Sequence, residues 1–102
     1  MYQQVTFQDF IDTFIKMDRG EQFTYDGFRA LFDHLEQIED DTGEKIVLDV
    51  ISLCVEYAEY PNAIEAASDY TGEKFTEIEA MKYLEERTTV ISFDGGVIVQ
   101  AY

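Results

Sequence analysis

The sequence predicts a single α+β domain over residues 1–102: an N-terminal antiparallel helix pair, one long strand, two short helices, and a C-terminal β-hairpin completing a small antiparallel sheet. Three observations lead there. Apolar residues recur at helical spacing from Phe7 to Ile38, a Val- and Ile-rich run follows Lys45, and Asp94-Gly95 separates two β-branched segments near the end. At 102 residues the chain is long enough for one core and too short for two.

Thr6 and Asp9 have capping-box spacing, and Phe7, Phe10, Ile11, Phe14 and Ile15 follow on one helical face. Arg19-Gly20 supplies a cationic last turn and an expected left-handed stop. A second helix starts at Thr24 as N-cap, buries Phe28, Leu31, Phe32, Leu35 and Ile38, and closes at Asp41-Thr42-Gly43. The short connection Gly20-Glu21-Gln22-Phe23 favours antiparallel packing of the two. Ile46 to Tyr57 then reads as a long, largely buried strand, although Val47, Val50, Ile51 and Cys54 fit a 3.6 period as well.

The single proline, Pro61, ends that run, and Asn62 caps a short helix that stops before Gly72. Thr76 and Glu79 form a capping box for a helix over Glu77 to Glu86 that buries Ile78, Met81 and either Tyr83 or Leu84. Asp94-Gly95 is the dipeptide of a two-residue type I′ hairpin between residues 88–93 and 96–102. Its register pairs Phe93 with Gly96, Ile91 with Ile98 and Val90 with Val99. Both hairpin faces are apolar, so helices or a partner must cover them. The tetrapeptide Thr42-Gly43-Glu44-Lys45 recurs as Thr71-Gly72-Glu73-Lys74, each time after a predicted helix, where glycine serves as the left-handed stop.

Twenty-two Asp and Glu against seven Lys and Arg leave a net charge of −15, yet 46% of residues are hydrophobic and 15% aromatic. An acidic disordered tail lacks that apolar content. The charge therefore belongs on the surface of a folded domain, where it repels DNA, RNA and anionic lipid and attracts basic surfaces. The start, Met1-Tyr2-Gln3-Gln4, has neither the basic residues nor the apolar stretch of a signal peptide, and nothing approaches the ~20 apolar residues of a membrane helix. With one cysteine no internal disulfide forms, which fits a reducing cytoplasm.

Enzymatic chemistry lacks parts. His34 is the one histidine and falls on the polar side of the second helix; Cys54 lies in an apolar run; no serine sits in a nucleophile elbow; no glycine cluster forms a phosphate loop. Reading Gly43 as the sixth residue of a calcium loop puts Ile38 at the first ligand position, which disqualifies the motif. No cofactor and no metal site are expected.

The carboxylates instead follow the elements. Asp26, Asp33 and Asp40 lie seven residues apart on the second helix, at ~10.5 Å intervals, opposite its apolar face, with Glu36 and Glu39 beside them. Asp69, Glu73 and Glu77 continue the acidic pattern further along. Few lysines compensate at i+4, unlike a merely solvated helix. These eight residues are the candidate partner-binding set, and the tyrosines near other acids (Tyr57, Tyr60, Tyr70, Tyr83 and Tyr102) suit a protein interface.

The segments Ala30-Leu31-Phe32-Asp33-His34-Leu35-Glu36, Asp41-Thr42-Gly43-Glu44, Leu48-Asp49-Val50-Ile51 with Cys54, and Thr88-Thr89-Val90-Ile91 together resemble small acidic accessory proteins of bacteriophages and mobile elements. The resemblance is one of class. It implies a counter-defence inhibitor of the anti-restriction or anti-CRISPR type that mimics DNA toward a basic nucleic-acid-binding protein or nuclease complex. The alternative is an assembly module, homodimeric through the apolar hairpin, whose charge serves solubility.

Cys54 is expected in the core and unreactive. A thiol reagent should label the native protein more slowly than the urea-unfolded chain; equal rates would place the thiol at the surface.

Overall fold

The computed structural model describes residues 5–101 as five helices and a three-stranded antiparallel sheet. Helix α1 (Phe7–Lys16) opens on a capping box in which Thr6 and Asp9 bond each other's backbone amides. It ends one turn earlier than Arg19-Gly20. Asp18 takes the left-handed conformation (φ 60°), its amide bonds the Ile15 carbonyl, and the Arg19 amide bonds the Phe14 carbonyl. That pair of bonds is a Schellman closure, and aspartate tolerates the left-handed position better than most residues. Phe10 and Phe14 are fully buried, whereas Ile15 is exposed.

Helix α2 (Tyr25–Thr42) starts at Thr24, as its cap predicts, and stops at Gly43 with φ 73°. The contacts run from Phe7–Phe32 (5.6 Å) through Phe10–Phe28 (6.3 Å) to Phe14–Phe23 (6.0 Å), the order that antiparallel helices give. Phe23, in the connection, joins this aromatic core. The repeated tetrapeptide ends two helices in one way. Thr42 and Thr71 each bond back four residues, Gly43 and Gly72 are left-handed, and the amides of Glu44 and Glu73 bond the preceding threonine hydroxyls.

The long strand expected over Ile46–Tyr57 is not formed. Residues 43–49 are irregular, α3 spans Val50–Glu56, and the strand β1 is confined to Tyr57–Tyr60. Asp49 accepts the Ser52 amide at 3.1 Å and starts the helix, while Val50 and Leu53 face the core and Val55 faces solvent. A capped 3.6 period thus prevails over β-branched composition. Cys54 is half-buried rather than enclosed, packed against the aromatic core.

Helices α4 (Ala63–Thr71) and α5 (Glu77–Glu85) follow their caps, Asn62 and the Thr76–Glu79 box. They pack through Ala63, Ala66, Ala67, Ala80 and Leu84, all fully buried; small side chains let the backbones approach closely. Ile78, expected inside, is 82% exposed, because the face of α5 that meets α4 is centred on Ala80 and Leu84.

The hairpin of β2 (Val90–Phe93) and β3 (Gly96–Gln100) has the expected register, including Phe93 with Gly96 and Ile91 with Ile98. Its turn differs from type I′: Gly95 has φ 117°, but Asp94 keeps a negative φ, the sign pattern of type II. Only the glycine then occupies the region costly for L-residues. Tyr102 lies outside the described residues, as do Met1 to Gln4.

Sheet order is β1-β3-β2, so β3 is central. Its side chains alternate between two cores, whereas the length of the chain predicts one. A sheet buried on both faces divides the apolar residues into two clusters. Ile98 joins the aromatic core of α1, α2 and α3, while Val97 and Val99 join the core of α4 and α5. The sheet is therefore the middle of three layers. Among the described residues, no helix is long and apolar enough to cross a membrane.

Gly96 sits where β3 passes under the end of β1, and a Cβ there would lie 2.5 Å from the Tyr60 carbonyl oxygen. Backbone cannot yield as a flexible side chain does. Gly96→Ala should lower unfolding free energy by roughly 1–3 kcal/mol, read as a lower urea midpoint at unchanged m-value.

Candidate protein-binding surface

The rigid platform for the acidic stripe is the start of α2. Thr24 donates its amide and its hydroxyl to the Glu59 carboxylate at 2.9 and 2.8 Å, and accepts the Gly27 amide at 3.0 Å. A negative group at a helix N-terminus is stabilised by the macrodipole. Gly27 makes room for it, since a Cβ there would land on a Glu59 carboxylate oxygen. Glu59, from β1, thus locks α2 to the sheet.

From that anchor α2 projects Asp26, Asp33 and Asp40 into solvent. Arg29 pairs with Asp33 at 3.3 Å, with both side chains more than half exposed, a contact worth ~0.3–0.5 kcal/mol. The same guanidinium lies 4.8 Å from the centre of the Phe7 ring. Glu36 is half-buried beside the stripe.

Glu39 belongs elsewhere. Only 8% exposed, it accepts the Ile46 amide at 2.6 Å and ties the irregular segment back to the helix. It lies four residues after Leu35 and seven after Phe32, on the apolar face, and that spacing was the available signal. Asp69, Glu73 and Glu77 are exposed, but they sit on α4, the loop after it and α5, across the sheet from α2. The eight predicted residues are therefore a stripe on one face, a group on the other, and one structural carboxylate.

A shallow cleft of about 580 Å³ separates α2 from β2 and the hairpin turn. Asp26, Asp33 and Asp94 bring three carboxylates to it, Arg29 one cation, and His34 its imidazole. His34 is half-buried and meets the Tyr57 ring edge-on at 6.4 Å, so it does not stand on the polar side of α2. Burial holds it below its ordinary value of 6.5, so it is uncharged at neutral pH and the cleft is acidic. Asp94 and His34 were hidden from sequence reasoning because only the packing of β2 beside α2 brings them to Asp26.

Cys54 is acted on by its own burial, which raises its pKa, and then by the Arg19 charge, which opposes that. Among the described residues, no three His, Cys, Asp or Glu side chains are grouped to hold a metal ion. Comparison with protein-family models, with curated proteins and with solved structures finds no match.

On the opposite face the Tyr60 hydroxyl donates to Asp69 at 2.9 Å. Burial first, then that hydrogen bond and the Asp69 charge, push the phenol up to about 12. The folded state holds this proton more tightly than the unfolded chain, whose ordinary value is 10. Tyr60 therefore contributes stability that is complete below pH 10 and is lost as pH rises through about 12. Tyrosinate absorbance should show a late-titrating tyrosine, moved downward but not to 10 by Asp69→Asn, because burial, the largest cause, remains.

Proposed function

We propose that this protein is a non-enzymatic counter-defence inhibitor. It presents an acidic, DNA-mimicking surface to a basic nucleic-acid-binding host protein, such as a CRISPR effector or a restriction complex, and acts in the cytoplasm without touching nucleic acid itself. The observation that carries this reading is the stripe Asp26, Asp33, Asp40 on a helix fixed at its start by Glu59, with little compensating cation. A stripe held on a rigid element keeps its spacing when a partner approaches, whereas a flexible acidic tail must be ordered first at an entropic cost.

Duplex DNA carries closely spaced phosphates, and a carboxylate row at ~10.5 Å intervals gives a similar field without their geometry. Such a field acts mainly on encounter, raising the association rate with a basic groove and excluding acidic competitors. Carboxylates, like phosphates, accept charge-assisted hydrogen bonds from Arg, but a row at this interval does not match phosphate spacing, so shape and area must contribute to residence time.

The test uses a partner captured from host lysate and its DNA. The wild-type chain should compete with DNA for it, less well as salt rises, because exposed charges are screened beyond ~8 Å at physiological ionic strength. The variant Asp26→Asn, Asp33→Asn, Glu36→Gln, Asp40→Asn should fold with equal or greater thermal stability and associate roughly tenfold more slowly at low salt. Equal, salt-insensitive competition by both proteins would make the stripe a solvated face only.

A further inference from the structure

The outer edge of β2 carries unpaired backbone. The Gln100 amide bonds the Thr89 carbonyl, which sets the phase of the β2–β3 ladder. In an antiparallel pair, residues alternate between facing the neighbour strand and facing away. Thr89, Ile91 and Phe93 therefore turn their amides and carbonyls toward β3, and Val90 and Ser92 turn theirs outward. Among the described residues, no backbone hydrogen bond to those outward groups is formed. Ser92 is exposed, and β2 has neither a proline nor a lysine to blunt its edge.

Both flanks of this edge are hollow. The cleft toward α2 and a second hollow of about 350 Å³ toward α5 share Ser92 and Phe93. Asp26, Asp33 and Asp94 line the first, and Glu77 and Met81 the second. Asp26 and Asp33 from one acidic group and Glu77 from the other thus flank one edge from opposite faces of the sheet.

We infer that the β2 edge accepts an extended basic segment of a partner protein as a fourth strand. Side chains of an added strand alternate between the faces every residue. One row enters the three-carboxylate cleft, where Lys or Arg fits; the other row meets Glu77 and Met81, where an apolar or basic residue fits. Backbone pairing with Val90 and Ser92 supplies affinity, and the acidic walls select the charge. A second copy of this chain would offer the same pairing, but each copy carries −15. This inference rests on the reading of the acidic surface as the attractant for a basic partner.

The probe is a labelled, end-blocked octapeptide of alternating Lys and Val, titrated against the full chain by fluorescence anisotropy and by backbone NMR. Binding should shift the Val90 and Ser92 amides and slow their exchange with solvent. The same peptide N-methylated at alternate amides keeps its charge but cannot pair, and should bind roughly tenfold more weakly or worse. Ser92→Pro, which removes only an outward amide, should weaken the unmodified peptide comparably while melting at nearly the wild-type temperature.

Equal affinity for the two peptides, with salt sensitivity retained, would overturn the strand pairing and leave the acidic-surface reading standing. So would perturbations confined to α2. No binding by either peptide would also sink the edge proposal, while DNA competition by the captured partner still decides the other reading. Peptide-free dimerisation abolished by Ser92→Pro would assign the edge to a second copy instead.

Discussion

The fold hangs on the two-sided burial of β3. Its side chains at 97, 98 and 99 are all buried, yet they serve different cores: Ile98 the aromatic one, Val97 and Val99 the alanine-lined one. Each fully buried side chain of this size stabilises by ~1.5–3 kcal/mol, and here that stabilisation couples two layers. Neither helical group would have a floor without this strand. The same centrality accounts for Gly96, squeezed against the Tyr60 carbonyl, and leaves β1 and β2 as the outer strands of the sheet.

The acidic residues divide into those the fold consumes and those it displays. Asp9, Asp49 and Glu79 cap helices, Glu59 braces the start of α2, and Glu39 tethers Ile46. The Thr76 amide and hydroxyl hold Glu79 below the usual carboxylate range, the signature of a charge the fold has put to use. Five helices in a short chain provide many N-termini, so part of the acidic composition answers the needs of the backbone. Asp26 and Glu77 also lie in the first turns of α2 and α5, and Asp69 holds the Tyr60 hydroxyl. Their exposed carboxylates, with those of Asp33 and Asp40, nevertheless remain open to a partner, and they are where a functional charge is sought.

An acidic face and an open strand edge are complementary devices. Long-range attraction brings a basic partner close but does not orient it, whereas backbone pairing orients it within a few ångströms but has no reach. Their meeting at β2 gives steering and register in one place. Burial of His34 lowers its pKa from the ordinary value, so its imidazole does little to offset the carboxylates of the cleft.

The sequence by itself determined what is local. Thr6, Thr24, Asn62 and Thr76 each announced a helix start, Gly43 and Gly72 announced helix ends, and Asp94-Gly95 fixed the hairpin register, because capping and turn chemistry act over three to five residues. The acidic stripe at 26, 33 and 40 was legible for the same reason. Only the tertiary structure decided the state of residues 46–57, whose Val and Ile content suits strand and helix alike, and the exposure of Ile78, whose helix met α4 on a different face. It decided likewise that Glu39 serves the core and that Asp26, Asp94 and His34 share a cleft. Those placements depend on which strand is central and which face each helix buries, and such long-range choices leave no mark on neighbouring residues.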